Sequence, residues 1–419
     1  MPNGFRGTVR AIHRWRTGYP LATVILTGAV LVTLALPVRH MDVSSPTISS
    51  LPRSTEARQV ADEIASSFPH ATLSPIAIVV QPVDNAMYDA GNLQALLNYV
   101  TRLGDHPSID HADSIWSLLP GAMTPSTYST SLLLEPELAR VSTPYLTPRA
   151  ALVNITVEAS LPDQERRDLV RELRRDAAAM TDGELQVLVG GNVGMDVDVL
   201  AFAGENMPAV VAYIVSLSAI ALFVQLRSVF LPLKAIAMNL LSIGASFGAL
   251  VWIFQDGHLS GVLRFEPTGT TVILVPILMF CFLFGLSMDF EVIMLSRIRE
   301  AWQETGDNDL AVAQGMRRTA GIVTSSAVVM LAVFAAFATS ELGIIKALGV
   351  GLAIAVIIDA TVVRLLLLPA TMQLMGRWNW WTPFGLRSST SHDPDDPTVS
   401  IVPPADSTTL DPARKGNRT

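Results

Sequence analysis

Cysteine, charge and aromatic side chains are all scarce in this chain. A single cysteine, Cys281, stands among 419 residues, so no disulfide can form within the chain. Charged residues make up only 16% and aromatics 7%, against 50% hydrophobic residues, a balance that points to an integral membrane protein with a substantial water-soluble part. Nucleophile elbows, phosphate-binding glycine loops and metal-ligand spacings are missing, so neither an enzyme nor a cofactor or metal is expected. The net charge of −8 gives no argument for a nucleic-acid partner, and none is expected.

Long apolar runs are what the chain has instead. The first, LATVILTGAVLVTLALPV, follows Arg6, Arg10, Arg14 and Arg16. It is longer than the apolar core of a secretory signal and lacks a clear small-residue cleavage site, which predicts an uncleaved membrane helix over 19–38. The four arginines put residues 1–18 in the cytoplasm. Five further runs follow at about 208–226, 232–254, 269–295, 320–339 and 344–369, within a membrane region at 207–376. Their flanks alternate, with Arg227 and Lys234 inside, Asp256 to Glu266 outside, Arg297, Arg299, Arg317 and Arg318 inside, and Arg377 and Arg387 inside again. Six spans of the cell membrane with both termini cytoplasmic are expected. Residues 377–419 form a cytoplasmic tail that is poor in large apolar side chains from about 388 and reads as disordered there.

Hydrophobicity drops between 39 and 206, which predicts an extracytoplasmic α+β domain. IAIVVQP (76–82), IDHADSIWSLL (109–119), ALVNITVEA (151–159) and ELQVLVGG (184–191) read as strands, the second with a turn as an alternative. Asn92–Leu103 and PDQERRDLVRELRRDAAAM (162–180) read as helices. The order βαββαβ is that of a ferredoxin-like unit. Residues 120–148, rich in Pro, Ser, Thr and Tyr, read as a long exposed loop within it. His106 and His111, beside Asp105, Asp110 and Asp113, read as a polar surface turn in preference to a metal site, and the charge run from Asp163 to Asp176 as a solvated helix face.

The apolar runs carry three ionisable residues that need explaining. Asp289 lies eight residues before Arg297, roughly 12 Å up a helix axis from the inner headgroups, a depth at which a carboxylate marks a functional site facing the protein interior. A helix ending near Met288 would instead leave it wetted at the interface. Asp359 ends a stripe of small residues, Gly343, Ala347, Gly351 and Ala355, and so belongs to a packed face. Asn239, Ser242, Ser246 and Ala249 make a similar stripe in the third run, and Gly321, Ser325, Val328, Ala332, Ala335 and Thr339 another in the fifth. Arg364, five residues beyond Asp359, does not face it directly in an α-helix; it either snorkels to the inner headgroups or pairs with an acid on a neighbouring helix, with Asp289 the available candidate. Asp289, Asp359 and Arg364 together have the makeup of a proton relay.

GLSMDFEVIMLSRIRE (285–300), GIVTSSAVVMLAVFAAF (321–337) and LGVGLAIAVIIDATVVRLLLLPATMQLMGRWNWW (348–381) resemble the corresponding helices of the MmpL family in the resistance-nodulation-division superfamily. The layout of one span, a large outer domain and five spans resembles the second, C-terminal six-span module of that family alone. The resemblance implies export of lipids or other hydrophobic molecules driven by the proton-motive force. It carries the relay onto Asp289, Asp359 and Arg364, with Ser325 and Ser326 as neighbours, and puts Phe290 where the family usually has tyrosine, losing the hydroxyl. A lone module implies a partner, either a second copy or a separately encoded first half. The alternatives are a non-transporting scaffold or remnant that binds a cell-envelope partner, and a lipid-responsive protein.

Overall fold

The computed structural model describes residues 19–381 apart from 47, 69–74, 119–122, 159–160 and 182–184. Arg6, Arg10, Arg14 and Arg16, and the expected tail from 382 onward, lie outside the described residues. Among the described residues, six helices are long and apolar enough to cross a membrane: Pro20–His40, Gly191–Leu226, Phe230–Gln255, Leu274–Thr305, Asn308–Ala338 and Gly343–Trp380. They are named here the first to the sixth span.

The third span is the axle of the bundle. It packs against the first, second, fourth and sixth spans, and 61% of its most apolar stretch is buried, against 6% for the second and the fifth. Its stripe of Asn239, Ser242 and Ser246 is wholly inside, because small side chains let neighbouring backbones come close where lipid supplies no hydrophobic drive between helices. The stripe of the sixth span is likewise inward, with Ala347, Gly351 and Ala355 buried.

The outer domain inserts between the first and second spans. Strands β2 (Ile76–Pro82), β3 (Ile109–Asp113), β4 (Ala151–Val157) and β5 (Leu185–Gly190) form one antiparallel sheet in the order β3-β4-β2-β5. Helix α1 (Ala90–Gly104) joins β2 to β3, and α2 (Asp163–Met180) joins β4 to β5. Alternation along the strands sends Ile76, Ile78 and Val80 together with Ala151, Val153 and Ile155 to one face, where they meet Leu93, Leu96 and Leu103 of α1 and Leu169, Val170 and Leu173 of α2. A two-residue parallel ladder between β1 (Val43–Ser44) and β6 (Thr271–Val272) ties the exit of the first span to the entry of the fourth.

Residues 120–148 are not the exposed loop that their composition suggests. Helices Pro125–Leu134 and Pro136–Ser142 occupy most of the segment, and Tyr128, Leu132 and Leu146 are buried in the domain core. The prolines that resemble loop punctuation sit at the first helical turn, where no backbone donor is lost, and Thr124 caps the first helix by accepting from Thr127 N. The 109–119 segment is a strand only to Asp113, followed by a single helical turn at Ile115–Leu118.

The second span begins well before Pro208. It starts directly from β5 at Gly191 and runs unbroken to Leu226 with Pro208 inside it, the missing proline donor costing one intrahelical bond without ending the helix. Gly191 makes this junction possible, since its φ is +82° and a Cβ there would stand 2.5 Å from the Pro75 carbonyl oxygen. The charge run of α2 is a clamp rather than a solvated face alone. Arg167, only 4% exposed, bonds Asp42 Oδ1 at 3.0 Å just after the first span, and Arg174 bonds Asp198 Oδ2 at 3.0 Å on the second-span helix. His106 and His111 make acid contacts of their own, with Glu172 and Asp113.

Candidate functional site

A change of helix type builds the site. The sixth span is α-helical to Ile358 and then π-helical from Asp359 to Leu367. Bonds from i to i+5 bring residues five apart onto one side of the helix. Arg364, predicted to point away from Asp359, therefore donates from Nη2 to Asp359 Oδ2. It does not snorkel, being 5% exposed, and its carboxylate partner is Asp359, not Asp289.

The fourth span completes the pocket. Ser287 Oγ donates to Asp359 Oδ1 at 3.3 Å, and the ring of Phe290 lies under the Arg364 guanidinium at 4.7 Å from its centroid. The ring thus offers its π face to the cation, a contact that needs no hydroxyl. Asn239 and Ser242 of the third span line the same cavity beside Asp359 and Arg364. Asn239 is 2% exposed, and its Nδ2 has no hydrogen-bond partner.

Asp289 is on another side of its helix. It is exposed, while Met288 and Glu291 are buried. Two residues on an α-helix are separated by about 200°, so Ser287 and Glu291 share the inward face and Asp289 cannot join them. Ser325 is exposed and bonds back to Ile322 O, and Ser326 is half-buried; the fifth-span residues that line the cavity are Val323, Ala327 and Met330.

Sequence reasoning passed over Glu291 and Lys234. Glu291 is 7% exposed, and Lys234, half-buried, donates to Asn379 Oδ1 at 3.3 Å. Glu291 lines a small cavity together with Asp359 and Arg364. The signal was present in the spacing: Glu291 falls on the stripe of Phe284, Ser287, Leu295 and Ile298, the face that packs inward. What the arrangement can do is hold or release protons on carboxylates whose counter-ions are fixed within the bundle, away from water.

The comparisons agree with this architecture. The MMPL family matches residues 49–393. The chain is 36% identical to the Streptomyces coelicolor membrane protein SCO6666, over 88% of this chain and 46% of that protein. It is 31% identical to the heme uptake protein MmpL11 of Mycobacterium tuberculosis, over 88% of this chain and 35% of that one, and 28% identical to the trehalose monomycolate exporter MmpL3 of the same species, over 84% and 35%. Among solved structures, the water bear (Hypsibius dujardini) hedgehog release protein Disp shares the fold, with a TM-score of 0.53 and 16% identity over 88% of this chain and 49% of that one. The chain thus spans less than half the length of the relatives it matches. With six apolar helices, an inserted outer domain and a family match over most of its residues, the chain belongs to the MMPL family.

Proposed function

We propose that this six-span unit is part of a transporter of the MmpL type, driven by the proton-motive force, which moves lipids or other hydrophobic molecules across the cell membrane. The observation that carries the reading is the buried Asp359–Arg364 pair, held by Ser287 and Phe290 inside a helix bundle. A charge pair at that depth is costly to bury and gives no obvious gain in stability over apolar packing, which favours a task in proton movement. The names of two relatives, a lipid exporter and a heme uptake protein, both concern large hydrophobic molecules.

A proton arriving from the outer side neutralises Asp359 and releases Arg364. The sixth span then shifts against the third, the first and the fourth, on which it packs. Motion reaches the outer domain through two stiff connections, the unbroken second-span helix and the α2 clamp of Arg167 on Asp42 and Arg174 on Asp198. The domain itself is a split βαβ unit of the ferredoxin-like type, a reading supported by its strand order and the positions of α1 and α2. Both termini are placed in the cytoplasm on the strength of the flanking charges.

Asp289 has a different part. It sits on the exposed side of the fourth span along with Phe282, Gly285 and Ile293, and an ionisable group facing lipid is unfavourable. This face is proposed to meet a second six-span unit, a copy of this one or a separate module, which covers the carboxylate. The reading is tested by proton-coupled transport, or by growth complementation of a strain lacking the gene, with Asp359→Asn and Asp289→Asn. Loss of activity in Asp359→Asn at normal membrane levels supports the relay. Full activity in both variants refutes it and favours a scaffold that binds a cell-envelope partner or lipid.

A further inference from the structure

Two further charges, the buried Glu291 and the half-buried Lys234, lie on the inner side of the Asp359–Arg364 pair, and the transport scheme uses neither. One small cavity is lined by both Glu291 and Asp359, together with Arg364, Ser287 and Asn239. Asn239 brings a buried donor, Nδ2, without a hydrogen-bond partner. Lys234 is anchored at the inner end of the third span by Asn379, a fully buried side chain whose Nδ2 donates to Met372 O at 2.7 Å and Gly376 O at 2.9 Å. The groups therefore run inward from the middle of the bundle as acid, base, acid, base: Asp359, Arg364, Glu291, Lys234.

We infer that Glu291 is a second proton-carrying carboxylate, which takes the proton from Asp359 across the shared cavity and releases it at the inner face, with Lys234 as its positioning cation. The inference rests on the transport reading above. In the transfer the O–H bond of the Asp359 acid breaks and an O–H bond forms on the Glu291 carboxylate. Asp359, charged again, re-forms its pair with Arg364. Glu291 then gives its proton to water at the inner face and returns to the field of Lys234. The four groups sum to zero charge when empty and to one positive charge when a single proton is carried, so no step leaves two like charges uncompensated in the bundle. Asp359 and Arg364 of the sixth span share the cavity with Glu291, and Lys234 lies at the inner end of the third span, on which the fourth packs. On its own helix Asp289 is exposed and Arg297 pairs with Glu300 at 2.7 Å, while the fifth-span residues on the adjoining cavity, Val323, Ala327 and Met330, are uncharged.

The test is proton uptake by vesicles containing the purified chain, read with an internal pH dye after a pH jump, for the wild type, Asp359→Asn, Glu291→Gln and Lys234→Met. Glu291→Gln keeps the shape of the side chain but cannot ionise, and uptake is expected to fall at least about tenfold, with Glu291→Asp recovering part of it. Lys234→Met is expected to move the inner-side pH profile of uptake toward alkaline by about one pH unit, because a nearby cation favours the charged form of a carboxylate. A merely structural lysine would leave that profile in place, so the profile still decides the matter if Glu291→Gln fails to fold. If the wild type carries no protons, either alone or with the second six-span unit co-purified, the transport reading falls and this inference with it. If the wild type conducts, Asp359→Asn does not, and Glu291→Gln or Lys234→Met behaves as wild type, the transport reading stands and this inference alone is overturned.

Discussion

Arg364 serves two carboxylates, and that asymmetry can be measured without any transport assay. Replacing Arg364 with Met takes from Asp359 the guanidinium that pairs with it and from Glu291 the cation on its cavity. Removing one partner of a buried pair costs about 3–5 kcal/mol, and the lost contact with the Phe290 ring adds about 0.5–1 kcal/mol. Asp359→Asn is milder. The single amide oxygen can still accept from Arg364, while Nδ2 takes the place that accepted from Ser287 and donates to that hydroxyl instead, so the loss is that of a charge-assisted hydrogen bond, about 1.5–3 kcal/mol. The double variant should recover much of the cost, since both buried charges leave together. Unfolding by denaturant in mixed micelles would give the three values. Equal losses in the two single variants, or a double variant that sums them within about 0.5 kcal/mol, would refute the shared role of Arg364.

Other substitutions probe what holds the site in place. Gly248→Ala would put a Cβ 1.8 Å from the Leu34 carbonyl oxygen and push the first span off the third; a loss of about 1–3 kcal/mol in the same unfolding assay is expected. Gln255→Leu removes a buried side chain that accepts from Asp42 N at 3.0 Å and donates to His40 O at 2.7 Å. The stranded backbone groups should cost about 2–4 kcal/mol and loosen the exit of the first span, read as faster proteolysis near residue 42. Tyr128→Phe deletes a buried hydroxyl that bonds Ser142 Oγ. It should destabilise the outer domain by about 1–2 kcal/mol, with the fluorescence of Trp116, whose ring lies 5.7 Å from that of Tyr128, as reporter; an unchanged midpoint would show that the hydroxyl contributes nothing.

The sequence by itself determined a good deal of this protein. Apolar runs fix which helices are long enough to span, because a bilayer demands length and composition more than any specific contact. Alternation fixed both ends of the strand at 76–82 and the start of the one read over 151–159, which ends at Val157; the small-residue stripes identified the inward faces of the third and sixth spans, whereas the stripe of the fifth, from Gly321 to Thr339, lies exposed. Asp359 was placed on a packed face by that stripe alone. Tertiary structure decided what local periodicity could not. A π-helical stretch turns Arg364 toward Asp359, and an assumed α-helical period points it away. Proline chemistry misled at 125 and 136, where a residue that usually breaks helices begins them, and the difference lies in whether Tyr128 and Leu132 have a core to enter. Helical spacing puts Asp289 and Glu291 on opposite sides of the fourth span, because two residues along an α-helix are about 200° apart; packing against the third and sixth spans decided that the side of Glu291 is the inward one and that of Asp289 the outward one.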